Sequence, residues 1–157
     1  MSHPFLHVFH EFGLRLGMSG LRLDEDGHCQ LAFDDLHVHI QLLEANGQVL
    51  CYVPLGQLDA RQHAARAWEL LEANYLYRRT HGTTLSWDRS SGACLLTLLL
   101  DGTRVDTTGF ESAMQALVNT ADHWTRRLQT PDQPDDGAAP PLSAQPQSPT
   151  AFLFDRA

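Results

Sequence analysis

The sequence predicts an α+β fold, a five-stranded twisted antiparallel sheet packed by helices in the order α-β-β-β-α-β-β-α. Three observations carry that expectation. Leu36, Val38, Ile40 and Leu42 alternate with His37, His39 and Gln41, the period of a strand with one buried face. Turn signals at Asp26-Gly27, Asp34-Asp35 and Asn46-Gly47 set off short strand-like runs in a meander. Phe110, Met114, Leu117, Ala121, Trp124 and Leu128 recur at spacings of 4, 3, 4, 3 and 4, a continuous helical stripe over five turns.

Each element has its own local reason. Pro4 suits a first helical turn, Phe5, Phe9, Phe12 and Leu16 follow at helical spacing, and Gly17 is placed to stop the helix. Leu21–Leu23 reads as strand-like and leads into the Asp24-Glu25-Asp26-Gly27 turn. Cys29–Phe33, Leu36–Leu42 and Val49–Val53 form the three-stranded meander. A second helix follows, with Asp59 and Gln62 at capping-box spacing and Ala64, Trp68, Leu71 and Tyr75 on one face. Arg78 and Arg79 lie near its C-terminus and Gly82 ends it. Strands at Thr84–Asp88 and Ala93–Asp101 are joined by Arg89-Ser90-Ser91-Gly92. The last helix carries a capping box at Thr108 and Glu111.

The 157 residues divide into a folded body, 1–129, and an acidic tail, 130–157, that holds six of the eight prolines and is expected to be disordered. Of the formal charge of −8, the body carries −5 (15 acids, 10 Arg) and the tail −3 (4 acids, 1 Arg). The chain has no Lys, which excludes P-loop, Schiff-base and Lys general-base chemistry. An acidic surface without basic clusters argues against nucleic acid and anionic membranes as partners. No apolar run approaches a membrane span, and no basic stretch followed by an apolar one suggests an export signal. Cys29, Cys51 and Cys94, odd in number and set in apolar runs, read as reduced thiols of a cytosolic protein.

Catalytic constellations fail on inspection. His3, His7 and His10 have helical spacing that could place three imidazoles along one side of the helix, but they read as its solvent face opposite the phenylalanines rather than as a zinc site, which also needs a fourth ligand or water. His37 and His39 read as a polar strand face. Asp24-Glu25-Asp26 begins like a calcium loop, but Gly27 comes two positions early and no Glu closes it. Ser19 lacks the glycine frame of a nucleophile elbow, and Leu14 stands where a zinc protease would need its second His after His10-Glu11. The expectation is a non-enzymatic protein without catalytic residues, metal or cofactor.

Several segments, in order and spacing, resemble the class I type III secretion chaperones, the Tir-chaperone family. They are Leu14-Arg15-Leu16-Gly17, Leu21–Gly27 followed by Cys29–Asp35, Leu70-Leu71-Glu72-Ala73-Asn74, Leu85-Ser86-Trp87-Asp88 with Gly92, and Phe110 through Trp124. The resemblance covers about residues 5–128. It implies a homodimeric, ATP-independent chaperone of the bacterial cytoplasm. Such a protein binds the N-terminal segment of a secreted effector or secretion component in extended form and keeps it export-competent. A regulatory interaction module of the same fold, controlling secretion genes by partner exchange, is the alternative. Phe5, Phe9, Phe12, Leu36, Val38 and Ile40 are partner-binding candidates, each equally consistent with the interior of its own chain. Trp68, Leu71, Tyr75, Leu85 and Trp87 are dimer-interface candidates with the same alternative, whereas Phe110, Met114, Leu117 and Trp124 belong to the core. Phe152-Leu153-Phe154 in the tail has the apolar content of a client motif, which could occupy its own or a neighbour's groove when no client is present; the alternative is a disordered tail with a few incidental apolar residues.

Overall fold

A computed structural model describes residues 3–58 and 63–130. The elements run α1 (Pro4–Arg15), β1 (His28–Phe33), β2 (Leu36–Leu43), β3 (Gln48–Gln57), α2 (His63–Asn74), β4 (Thr84–Trp87), β5 (Ala93–Asp101) and α3 (Thr107–Gln129). A 3-10 turn, Tyr75–Tyr77, follows α2. The expected order is therefore observed. The sheet is antiparallel throughout, in the order β1-β2-β3-β5-β4, so β1 and β4 are its edges. The capping pair at Asp59 and Gln62, and the tail beyond Thr130, lie outside the described residues.

The alternation along β2 does what period two requires. Leu36, Val38, Ile40 and Leu42 are buried on the face covered by helices, and His37, His39 and Gln41 point to the other. Val49, Cys51 and Val53 from β3 and Cys94 and Leu96 from β5 extend the same inner face. Onto it α3 lays its stripe, with Phe110, Met114, Leu117, Ala121 and Trp124 all buried. On the outer face His39 stacks on Tyr52 at 4.6 Å, and its Nδ1 lies 3.2 Å from His28 Nε2. Partial burial, then the neighbouring His28 and His37 rings, lowers the His39 pKa.

Helix α1 is held chiefly by α3. The Phe110 ring meets Phe5, Phe9 and Phe12 edge-on at centroid distances of 5.1, 6.3 and 5.0 Å. At the helix end, Arg15 donates to Glu111 at 2.6 Å. His3 rather than a hydroxyl residue caps α1, its Nδ1 accepting from the Phe5 N–H at 3.2 Å.

Three local expectations differ from the structure. Leu21–Leu23 is not a strand: nothing pairs with it, and Leu21 instead packs beneath α1, where a Cβ on Gly13 would come within 2.7 Å of the Leu21 Cβ. Asp106, not Thr108, caps α3, with its Oδ1 accepting from the Gly109 N–H at 2.7 Å. Glu111 is thereby released from the capping box and serves the ion pair with Arg15. Helix α2 ends at Asn74 rather than at Gly82, because Leu76 and Tyr77 take positive φ and break the helical path.

All three thiols are free. Burial pushes Cys51 up to about 12 and Cys94 up to about 11, so neither supplies thiolate near neutrality. Cys29 is only half-buried; burial first, and the Asp24 charge second, raise its pKa.

Phe110→Ala removes the ring on which α1 docks. The expected cost is about 3–5 kcal/mol in urea unfolding at fixed protein concentration, with early loss of amide-exchange protection over residues 5–15.

Candidate functional site: a groove beside α3 and an apolar face on α2

The two-residue turn between β1 and β2 places Asp34 and Asp35 between the paired residues Phe33 and Leu36. Asp34 has φ +52, a conformation that Asp tolerates better than most side chains. This corner stands opposite the flank of α3 next to the buried stripe, where Glu111, Gln115, Val118, Asp122, Arg126 and Gln129 succeed one another at helical spacing. A groove opens between the two.

Its inner end, about 110 Å³, is walled by Phe12, Leu16, Phe33, Met114 and Val118, with Glu111 and Gln115 at its edge. Its mouth, about 590 Å³, shares Phe33 and Val118 and is lined further by Asp34, Asp35, Leu36, Asp122 and Arg126. Arg126 lies 2.9 Å from Asp122, so three carboxylates face one guanidinium and the mouth is acidic. The inner end is lined chiefly by apolar side chains, and the one carboxylate at its edge, Glu111, is balanced by Arg15.

The six partner-binding candidates sit deeper than a groove surface. Phe5, Phe9, Val38 and Ile40 are interior residues of this chain, at 0–1% exposure. Phe12 and Leu36, also buried, reach the groove with one edge each. Sequence reasoning missed Phe33, Val118 and the three aspartates. The available signal was the row from Gln115 through Val118 to Asp122, parallel to the core stripe and mixed in character.

The second feature is α2. Leu70 and Ala73 are buried, and the Asn74 side chain clamps β4: its Nδ2 donates to Leu85 O and its Oδ1 accepts from Leu85 N–H, both at 2.9 Å. Glu69 gathers cations from three places, Arg66 at 2.8 Å, Arg127 at 2.7 Å and Arg79 at 3.9 Å. Arg66, itself buried, also donates to the Thr130 carbonyl at the end of α3. With α2 anchored by this side, Trp68 (72% exposed), Leu71 and Tyr75 face outward, continued by Leu76 and Tyr77. The other two dimer candidates lie beneath, Leu85 buried and Trp87 half-buried; both line a hollow of about 290 Å³ with Leu71.

Among the described residues no group of three His, Cys, Asp or Glu side chains converges as a metal ion requires, and no helix is long and apolar enough to cross a membrane.

With the geometry in view, the sequence match is decisive: residues 7–125 match the Tir chaperone protein (CesT) family. The chain belongs to that family. Solved structures of low sequence identity share its fold. The ExsC–ExsE complex matches at 24% identity and TM-score 0.66, over 78% of this chain and 91% of the other. The HopA1–SchA chaperone–effector complex matches at 18% and 0.64, over 78% and 94%. The Yersinia pestis type III secretion chaperone SycH, in complex with a stable fragment of YscM2, matches at 19% and 0.62, over 76% and 98%. Among curated proteins none is significantly similar in sequence. The five-stranded antiparallel sheet and its helices are the fold these structures share.

Asn74→Ala removes both hydrogen bonds to Leu85 and leaves that buried backbone unpaired. The expected destabilisation is about 1–3 kcal/mol, with exchange protection lost first over β4 and α2.

Proposed function

We propose that this chain is a type III secretion chaperone that holds the N-terminal chaperone-binding segment of a secreted effector or secretion component in extended form, without ATP, in the bacterial cytoplasm. The observation that carries the reading is the groove, in a member of the Tir chaperone family: apolar at its inner end, acidic at its mouth and bordered by β1, an edge strand. An extended segment can set apolar side chains against Phe12, Phe33, Met114 and Val118 while its backbone pairs with a free sheet edge. Enzymatic turnover has no part in this mechanism. The work is done by covering apolar side chains that would otherwise aggregate or fold before export.

The chaperone acts as a homodimer joined through α2. Trp68, Leu71, Tyr75, Leu76 and Tyr77 form an exposed apolar face larger than scattered surface residues would make. A second copy supplies the complementary surface, and two α2 helices packed together leave the grooves of both protomers outward. The body, 1–129, performs these functions, and the tail from 130 onward is an appendage to it.

Co-expression with N-terminal segments of secreted proteins from the same bacterium should give a stable complex of two protomers per client. Failure with every secreted substrate would sink the reading. Val118→Asp, which puts a charge on the groove wall, should weaken capture about tenfold or more while leaving the dimer intact. Trp68→Glu with Leu71→Glu should reduce the light-scattering mass from about twice 17.5 kDa to that of a single chain; an unchanged mass would place the dimer interface elsewhere.

A further inference from the structure

The groove has a direction. Moving along α3 from Met114 to Asp122, its lining changes from apolar to acidic over eight residues, about 12 Å of helix. A complementary order, apolar residues and then a basic one, stands in the tail. In Phe152-Leu153-Phe154-Asp155-Arg156, the two phenylalanines and the arginine occupy every second position. An extended segment points alternate side chains to one side, so both rings and the guanidinium share a face. From Phe152 to Arg156 that face measures about 13 Å at the rise of an extended chain, the length of the apolar-to-acidic change in the groove.

Chain length permits the connection. Helix α3 ends at Gln129, beside the acidic mouth, and Phe152 would have to return to the level of Met114, about 22 Å back along the helix. Phe152 lies twenty-two positions beyond Thr130, a reach of about 73 Å when extended. A tether of that length gives its end an effective concentration on the order of millimolar, enough for a weak motif to fill the site.

We propose that residues 152–156 occupy the groove of their own chain when no client is bound, with Phe152 and Phe154 on the apolar stretch and Arg156 at Asp34, Asp35 and Asp122. The inference rests on reading the groove as the client site, and it sharpens that reading. A client must displace the tail, so the segments best held carry two large apolar residues and a basic one at alternate positions, in that order.

A fluorescent peptide of residues 148–157 is titrated by anisotropy into the full-length protein and into full-length F152D/F154D. The peptide should bind the double variant about tenfold more tightly, because the competing segment is gone. A peptide carrying Arg156→Asp should bind that variant more weakly, and Asp35→Arg added to the protein should restore it. Equal affinity for the two proteins, or binding to neither, overturns the tail contact. The client reading is scored separately, by capture of a secreted protein's N-terminal segment with and without Val118→Asp. Capture lost in Val118→Asp while the peptide distinguishes nothing removes only the tail; capture unaffected by Val118→Asp removes the groove reading and the tail with it.

Discussion

The body depends on one ring. Phe110, at the start of α3, faces Phe5, Phe9 and Phe12 together, and all four are buried. Burying a phenylalanine side chain is worth about 1.5–3 kcal/mol, so three of them on α1 supply several kcal/mol toward docking that helix. The exposed Arg15–Glu111 pair adds about 0–1 kcal/mol at best. Aromatic packing therefore decides that α1 stays on α3, and the ion pair decides little except where its end lies. The groove follows from that docking, because Phe12 and Leu16 wall its inner end and have no other reason to stand beside Met114 and Val118.

Helix α2 is anchored by different means. Two hydrogen bonds from one amide side chain fix it to β4, and Glu69 draws Arg66 of its own helix together with Arg127 of α3. Burying Arg66 is costly in itself and gives weak grounds for added stability. Its effect is on orientation: the polar anchors occupy the inward side, and Trp68, Leu71 and Tyr75 are left to face away. Leu70 and Ala73 already supply the apolar contacts of the inward side, so Trp68, Leu71 and Tyr75 form a second apolar face. That second face lies beside β4, at the far edge of the sheet from β1.

Sequence periodicity carried the elements and their order, since β2 alternation and the α3 stripe each reflect burial by a large flat neighbour. It failed where two local solutions competed. Asp106 and Thr108 are both cap-competent, and Asp106 takes the position, which local sequence does not distinguish from the other. Leu21–Leu23 has strand composition but no partner strand. For Phe5, Phe9, Val38 and Ile40, spacing showed one apolar face without showing what covers it, and α3 covers it within the chain. The groove was illegible for a plainer reason. Phe12, Phe33, Asp35 and Asp122 come from three separate parts of the chain, and no local pattern marks their meeting.

The groove's polarity constrains any extended occupant more by penalty than by attraction. An arginine at the exposed mouth gains about 1 kcal/mol or less from a carboxylate, because water screens both. Running the same segment in reverse would set the guanidinium against Phe12, Met114 and Val118 beside a single carboxylate, Glu111, that Arg15 already balances, and would take it from a mouth where three carboxylates meet one guanidinium. Laying a charge on apolar side chains removes part of its water without supplying a partner, and that cost disfavours the reversed segment. Direction is thus selected chiefly by the cost of the wrong orientation. The Arg15–Glu111 pair, negligible for stability, matters for selection, since by balancing Glu111 it leaves the mouth as the acidic end of the groove and makes the two ends different.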